Sequence, residues 1–226
     1  MPITKLYYNL LELPLFQGMS HNDLEQVVAH TKFGFHKASA GKTLFAEGDK
    51  CEQMVFIVKG KLRVTTNADN KSFRLEEYVS APEVLQPERI FGLSQRYTKT
   101  FVATEDCQLL SISKAEVLKL LQEHIIFCLN LLNIISTQSQ RISHLPWRIP
   151  PIGIRNKIIK FIETHSTRPA GAKKLYIKME TFASLISESR LNVSRELNKM
   201  QEEGIIIITR GIIYIPSLEQ LIQMTT

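Results

Sequence analysis

The stretch from Phe182 to Met200 carries side chains whose types and spacing suit the reading of DNA. Arg190, Arg195 and Lys199 follow one another within it, with apolar residues at helical spacing between them. The fork of an arginine near the start of a helix matches the O6 and N7 atoms of guanine in the major groove. A serine ahead of the helix, with the free N–H groups of its first turn, suits a backbone phosphate. The stretch therefore predicts a short helix, a turn and a longer basic helix.

We expect six of its side chains to contact DNA. Those expected to read bases are Arg190, Asn192 and Arg195, and those expected to position the backbone are Ser189, Ser194 and Lys199. The apolar side chains expected to pack between the helices are Ala183, Ile186, Leu191, Val193, Leu197 and Met200. An ordinary helical hairpin with surface arginines would show the same short pattern, so the surroundings of the stretch decide between the two interpretations.

Those surroundings favour nucleic acid as the partner. The chain carries a net charge of +6, of which residues 1–145 supply +1 and residues 146–226 supply +5. A basic segment joined to a neutral one is typical of nucleic-acid binding, although a solvated basic face is the alternative. After Gly204, the apolar runs Ile205–Thr209 and Ile212–Ile215 flank Arg210-Gly211 and predict a hairpin, which would form a wing beside the groove.

Residues 113–145 are predicted to form one long helix. Its apolar seam, at alternating spacings of 4 and 3, consists of Leu121, Ile125, Cys128, Leu132, Ile135, Ser139 and Ile142. This pattern favours a homodimer, and the alternative is a helix that packs only against its own domain. Few basic residues lie on it, which disfavours a membrane-surface role. The prolines between Pro146 and Pro151 then break the helix and predict a hinge.

Residues 1–112 contain many short strand-like runs with glycine at the turns, which predicts a sandwich or barrel. With the helices that follow, the fold class is α+β. Cys51, Cys107 and Cys128 are too widely spaced for a disulfide framework or a Cys-x-x-Cys metal site, and they fit a reducing cytoplasm. We identify no signal peptide, no apolar stretch long enough to span a membrane, and no paired carboxylates, nucleophile–base set or metal cluster that would indicate an enzyme.

Several segments, taken in order, resemble the cyclic-AMP receptor / fumarate–nitrate regulator (Crp/Fnr) family of bacterial transcription factors over essentially the whole chain. They are Leu13–Phe16 with Ser20–Leu24, Gly41–Asp49 with Phe56–Val64, and Ser189–Leu197 with Glu203–Ile206. The resemblance implies a cyclic-nucleotide-binding-like β-roll (1–112), a dimerisation helix (113–145) and a winged helix-turn-helix (146–226). It also implies a homodimer on a two-fold DNA site, with the β-roll sensing a signal and RNA polymerase as a partner.

The resemblance is weakest in the cassette that holds the cyclic nucleotide. In the family this cassette begins Phe-Gly-Glu and continues to an Arg-Ser or Arg-Thr pair, whose arginine holds the cyclic phosphate. The matching residues here, which form the candidate effector pocket, are Phe91, Gly92, Leu93, Tyr97 and Thr98. Tyrosine cannot form a cationic bidentate clamp, so we expect no cofactor and a signal other than cyclic AMP in its usual pose. The alternatives are a cyclic nucleotide in a non-standard pocket, a β-roll that is only a scaffold, or a sensor whose output is a protein contact.

A second departure lies in the recognition helix. Family members often have glutamate after the first arginine, where it accepts a hydrogen bond from cytosine, whereas Leu191 follows Arg190 here. The preferred DNA site should therefore differ at that base pair. Leu191 is expected either to be buried or to contact a thymine methyl group.

Overall fold

The structure, a computed structural model, describes residues 3–143 and 151–224 and divides into two compact units. The first comprises residues 1–62 and 79–148, and the second comprises residues 63–78 and 149–226. The sequence predicted region boundaries at residues 112 and 145, so the assignment of residues 63–78 to the second unit was not foreseen. Strands occur in both units and helices flank them, which confirms the α+β fold class.

The first unit is built from two layers of short antiparallel strands. Its helices are α1 (Ile3–Glu12), α2 (His21–His30), α3 (Lys114–Glu123) and α4 (Ile125–Ser143). Its strands are β1 (Phe33–Ala38), β2 (Thr43–Phe45), β3 (Gln53–Lys59), β6 (Glu83–Leu85), β7 (Thr100–Ala103) and β8 (Cys107–Ser113), and the hairpin of β4 (Lys61–Asn67) and β5 (Phe73–Ser80) lies between β3 and β6 in sequence. Four of the strands form a sheet in the order β1-β8-β3-β6, and β2 pairs with β7.

The prediction of one continuous helix over residues 113–145 is wrong, because the chain bends at His124 and forms two helices. The axes of α3 and α4 differ by 114°. His124 adopts an extended backbone and its side chain is buried, with Nδ1 3.8 Å from a carboxylate oxygen of Asp23 on α2. On the next turn, Phe127 packs against Phe16 with ring centroids 5.1 Å apart. Burial of these two side chains in the first unit determines the bend, since neither glycine nor proline is present there.

The second unit contains the predicted helix-turn-helix and hairpin. Its elements are α5 (Ile154–His165), β9 (Lys173–Ile177), α6 (Met179–Leu185), α7 (Arg190–Glu202), β10 (Ile207–Thr209), β11 (Ile212–Ile215) and α8 (Leu218–Gln223). Strands β10 and β11 pair around Gly211, whose φ of +77° is a conformation that glycine adopts without strain. The predicted hinge is largely untested, since residues 144–150 lie outside the described residues.

Strand β5 completes the sheet of the second unit. It pairs antiparallel with β9, from Phe73 opposite Ile177 to Glu77 opposite Lys173. Phe73 and Leu75 belong to the same buried core as the apolar faces of α5 and α7. Because an edge strand exposes unpaired backbone groups, this pairing gives β9 a partner on each side.

A buried ion pair lies at one end of the pairing between β5 and β9. The Lys173 ammonium is 2.9 Å from a carboxylate oxygen of Glu77, and both side chains are almost completely buried. The backbone N–H of Thr167 donates to both oxygens of Glu77, at 2.9 and 3.1 Å, and its hydroxyl also bonds one of them. Lys173 donates in addition to the carbonyl of Ala170. The two charges are therefore paired and further hydrogen-bonded, as buried charges must be.

Two findings concern membranes and metals. Within residues 3–143 and 151–224, no single helix is long and apolar enough to cross a bilayer; α3 and α4 pass that test only as a pair, and they are sharply bent. Across the same residues, no cluster of histidine, cysteine, aspartate and glutamate has an arrangement that could hold a metal ion.

Candidate nucleic-acid interface

Helix α7 is the element that presents the predicted DNA-binding residues. Ser189 caps its N-terminus, accepting a hydrogen bond from the N–H of Asn192 at 3.2 Å. Val193, Leu197 and Met200 are fully buried along one face. These contacts fix the helix against the core and leave its opposite face to solvent, which confirms the amphipathic pattern seen in the sequence.

The turn between α6 and α7 is held by its own hydrogen bonds and one ion pair. Ser187 has a left-handed φ of +55°, and the N–H of Glu188 donates to the carbonyl of Ala183 at 2.9 Å. The carboxylate of Glu188 lies 2.6 Å from the ammonium of Lys157 on α5. The turn thereby sets the position of Ser189 and the start of α7.

The six predicted DNA-contacting residues lie on α7 or at its cap, and five of them are exposed. Ser194 is the half-buried one. Arg190 forms an exposed ion pair with Glu180 on α6, at 3.3 Å. Since exposed ion pairs contribute little, this contact leaves the guanidinium available to another partner. The Ser189 hydroxyl oxygen accepts the capping bond, and its own proton can still be donated to a phosphate.

Leu191 and Asn198 also lie on the exposed side of α7. Of the two possibilities stated for Leu191, burial between the helices is wrong, because 59% of this residue is exposed. Asn198, one turn beyond Ser194 and Arg195, is exposed as well and was not among the predicted residues. Its spacing of four from Ser194 was the signal that could have identified it.

The basic residues of the second unit are not all available to a ligand. The guanidinium of Arg155 donates to Glu196 at 2.7 Å and to both oxygens of Glu203 at 2.9 and 2.6 Å. Donation to Glu203 and Glu196 raises the pKa of Arg155, and acceptance of hydrogen bonds from Arg155 lowers the pKa of Glu203. This bidentate contact joins α5 to α7, so its role is structural.

The β10–β11 hairpin lies directly after α7, as the predicted wing. The backbone N–H of Ile208 donates to the side-chain oxygen of Gln201 at 2.7 Å, which joins the hairpin to the end of the helix. Thr209 and Arg210 are exposed at its turn. The hairpin therefore presents a cationic tip from the same unit that presents α7.

The five residues of the candidate effector pocket differ in their surroundings. Leu93 is fully exposed and Gly92 is exposed, whereas Phe91 is half-buried with the Lys114 ammonium 5.1 Å from its ring centroid. Thr98 is exposed and exchanges two hydrogen bonds with the side chain of Gln86. Tyr97, by contrast, is only 2% exposed.

Tyr97 is the residue predicted to match the family's phosphate-holding arginine. Its ring stacks on Phe45 with centroids 4.3 Å apart and forms a T-shaped pair with Phe101, with centroids 5.9 Å apart. Burial, and the neighbouring Cys51, raise the pKa of the phenol, which is therefore neutral at physiological pH. The adjacent Arg96 donates to the carbonyl of Gly48 at 2.7 Å. These residues do not fit the phosphate of a cyclic nucleotide in the family's usual pose, because the anion would meet a neutral aromatic cluster.

The predicted dimer seam lies mainly on the outward face of α4. Ile125, Leu132 and Ser139 are exposed, and Cys128 and Ile135 are half-buried. Leu121 belongs to α3, beyond the bend, and the side chain of Ile142 lies outside the described residues. Leu129, which is off the predicted seam, is exposed beside it. The outward face of α4 thus carries several large apolar side chains.

Comparison with protein families identifies both parts of the chain. A model of the cyclic nucleotide-binding domain matches residues 35–124, and a model of the Crp-like helix-turn-helix domain matches residues 156–224. Together they span more than two thirds of the chain. No curated protein gives a significant match.

Solved structures with the same fold include three regulators. The chain is 20% identical to the catabolite activator protein of Thermus thermophilus, with a TM-score of 0.50 and coverage of 94% of this chain and 98% of that one. A transcriptional regulator of the Crp/Fnr family from Eubacterium rectale gives 17% identity, a TM-score of 0.51 and coverage of 95% and 98%. The sensor domain of the transcriptional regulator DNR from Pseudomonas aeruginosa gives 20% identity and a TM-score of 0.51, with coverage of 67% of this chain and 98% of that one. With a cyclic nucleotide-binding domain followed by a Crp-like helix-turn-helix DNA-binding domain, the chain belongs to the Crp/Fnr family of transcription regulators.

Proposed function

We propose that the protein is a homodimeric regulator that binds a palindromic DNA site through α7. The observation that carries this proposal is the exposed face of α7, where Arg190, Asn192, Arg195 and Lys199 remain in solvent while the opposite face is fully buried. Arg190, Arg195 and Asn192 would read base edges, and Ser189, Ser194 and Lys199 would hold phosphates. Ser194 is half-buried, and its hydroxyl would donate to the phosphate.

The apolar outward face of α4 supports the homodimer. Ile125, Leu129 and Leu132 are large and exposed on one helix, and covering such a patch with a second copy removes it from water. A two-fold dimer repeats α7, so its DNA site would contain two inverted half-sites about 34–36 Å apart. RNA polymerase is a further partner in this proposal.

The signal, in this proposal, is not cyclic AMP in its usual pose. The buried ring of Tyr97 and the hydrogen bond of Arg96 to Gly48 support that view. The signal molecule is not identified, so the experiments below use the purified protein without added ligand. A cytoplasmic location, and the absence of enzymatic activity, belong to the same proposal.

The test is affinity selection from a random duplex DNA pool with the purified full chain and no added ligand. We expect enrichment of a two-fold palindrome. The double variant Arg190→Ala with Arg195→Ala should enrich none, whereas Lys37→Ala, which removes a charge from an exposed position on β1, should enrich the same palindrome. Selection of an asymmetric site would contradict the two-fold palindrome. Failure of a dimeric, salt-sensitive binder to select any site would contradict binding without a ligand.

The dimer is tested separately by light scattering. Leu132→Glu places a charge on the outward face of α4 and should shift the protein to monomer and weaken binding to the selected palindrome. Leu118→Glu is the matched control, because Leu118 has a similar exposure but lies on α3. A monomeric wild-type protein, or a Leu132→Glu variant that dimerises as well as wild type, would exclude this interface.

A further inference from the structure

Leu191 is the one leucine on α7 that the core does not cover. It occupies the second position of the helix, where 59% of the residue is exposed. Val193 and Leu197, on the same helix, are fully buried. A single exposed leucine is common on a protein surface, so the position of Leu191 on α7, and not its exposure alone, carries the argument.

The geometry of the helix places Leu191 where a duplex would lie. At 100° per residue, Leu191 lies roughly 150° around the helix axis from the centre of the buried stripe formed by Val193, Leu197 and Met200. Arg195, one turn further on, lies beside it on the same side of the helix. Residues near the N-terminus of a recognition helix are those that reach the base edges.

The chemistry of a leucine side chain selects one base. Leucine can neither donate nor accept a hydrogen bond, so it forms none with the polar edges of guanine, adenine or cytosine. Thymine alone presents a methyl group, at C5, in the major groove. Bringing that methyl group against Leu191 removes apolar surface of both partners from water.

We propose that Leu191 is a specificity-determining residue that reads a thymine methyl group in each half-site, next to the base pair read by Arg190. This inference rests on the proposed function, since it requires α7 to enter the major groove. It adds to that function the identity of one base and the atom by which the base is recognised.

The test replaces the selected thymine by uracil, which lacks only the C5 methyl group. We expect wild-type protein to bind the uracil duplex about fourfold more weakly per substituted half-site, the loss that corresponds to one buried methyl-sized group. Substitution in both half-sites should weaken binding about fifteenfold, the product of the two effects. Leu191→Ala should bind the thymine and uracil duplexes equally, since it lacks the side chain that covers the methyl group.

A second variant tests the change of specificity. Leu191→Glu introduces an acceptor and should select cytosine at this position in place of thymine, because glutamate accepts from the cytosine amino group. Uracil placed at a position outside the half-sites is the control and should leave binding unchanged. Equal binding of thymine and uracil duplexes by wild type, or an unchanged base preference in both variants, would overturn the role of Leu191. Failure of wild type to select any palindrome would instead contradict the proposed function.

Discussion

Two ion pairs of the second unit each join a basic side chain to a glutamate, but one pair is buried and the other is exposed to solvent. Glu77 and Lys173, between β5 and β9, each expose 2% of the side chain and lie 2.9 Å apart. Arg190 and Glu180, between α7 and α6, expose 68% and 76% and lie 3.3 Å apart. The first pair is locked by additional bonds to Thr167 and Ala170, whereas the second is surrounded by water.

This difference separates a structural pair from one that can be exchanged. A buried charge that loses its partner is stranded in a medium that solvates it poorly, so the Glu77–Lys173 pair cannot open without a large cost. An exposed pair contributes little, so Arg190 can leave Glu180 for a base or a phosphate. One pair therefore fixes the sheet that supports α7, and the other leaves the cation of α7 free to bind.

The largest effect is expected from breaking the buried pair. Glu77→Ala leaves the Lys173 ammonium with the carbonyl of Ala170 as its described partner and should lower the free energy of unfolding by about 3–5 kcal/mol. Urea unfolding of the full chain measures this loss, and hydrogen exchange of the β9 amides locates it. Glu180→Ala, which removes a carboxylate from the exposed pair, should change the free energy of unfolding by less than about 0.5 kcal/mol. Equal losses in the two variants would contradict the comparison.

Replacing both partners of the buried pair sharpens the same point. Glu77→Leu combined with Lys173→Met leaves no charge to be solvated, and such replacements are often neutral or stabilising. The double variant should therefore be more stable than Glu77→Ala in the same urea titration. If it is equally unstable, the stranded charge is not the cause of the loss.

The second largest effect concerns DNA. Arg190→Ala should weaken binding to the selected palindrome by about 1–3 kcal/mol and relax the preference at one base pair, while the urea midpoint stays unchanged. Lys199→Ala is the matched control, since it is exposed on the same helix and is expected to contact phosphate. It should weaken binding to all sequences alike and reduce the salt slope by about 1. Unchanged operator selectivity in Arg190→Ala would remove this arginine from base reading.

Which parts of this arrangement the sequence predicted depends on the range of the interactions involved. The buried stripe of α7 and the Ser189 cap both depend on contacts between residues within one or two turns of the helix. The stripe was predicted from the apolar spacing, whereas Ser189 was expected only to hold a phosphate. The pairing of β5 with β9 joins residues about 100 positions apart, from Phe73 with Ile177 to Glu77 with Lys173. Nothing in the local pattern of Phe73–Val79 distinguishes a strand of the first unit from one of the second.

The bend at His124 illustrates the same limit. Helix propensity and the heptad spacing continue through this residue, and only the packing of His124 and Phe127 in the first unit interrupts the helix. The exposure of Leu191 differs from this case, because helical spacing alone places the residue roughly 150° from the stripe of Val193, Leu197 and Met200, so the local pattern could have identified it. At His124, in contrast, a tertiary contact decides what the local pattern leaves open.

A third ion pair, between Arg155 and Glu203, is intermediate in exposure and predicts that the stability of the protein depends on pH. Hydrogen bonding to Arg155 lowers the pKa of Glu203 below its ordinary value of 4.5. A carboxyl whose pKa is lower in the folded state contributes stability above the unfolded pKa and loses it as the pH falls through the folded pKa. Wild type should therefore be more stable than Glu203→Gln at pH 7, and the difference in urea midpoint should shrink as the pH falls below 4.5. A difference that is constant with pH would exclude an ionic origin.

The smallest effect is expected from freeing Arg190. In the unbound protein its guanidinium is shared with Glu180, and that contact has to be given up before Arg190 can donate to a base. Glu180→Gln keeps the size of the side chain and removes its charge, so the cost of releasing Arg190 falls and repulsion of DNA phosphates is reduced. Exposed pairs contribute about 0.2–1 kcal/mol, so affinity for the selected palindrome should rise by no more than about fivefold. The gain should vanish in the Arg190→Ala background, because the carboxylate then has no partner to release. A gain that persists there would mean that Glu180 acts on the phosphates alone, and a loss of affinity would mean that Glu180 positions Arg190 for reading.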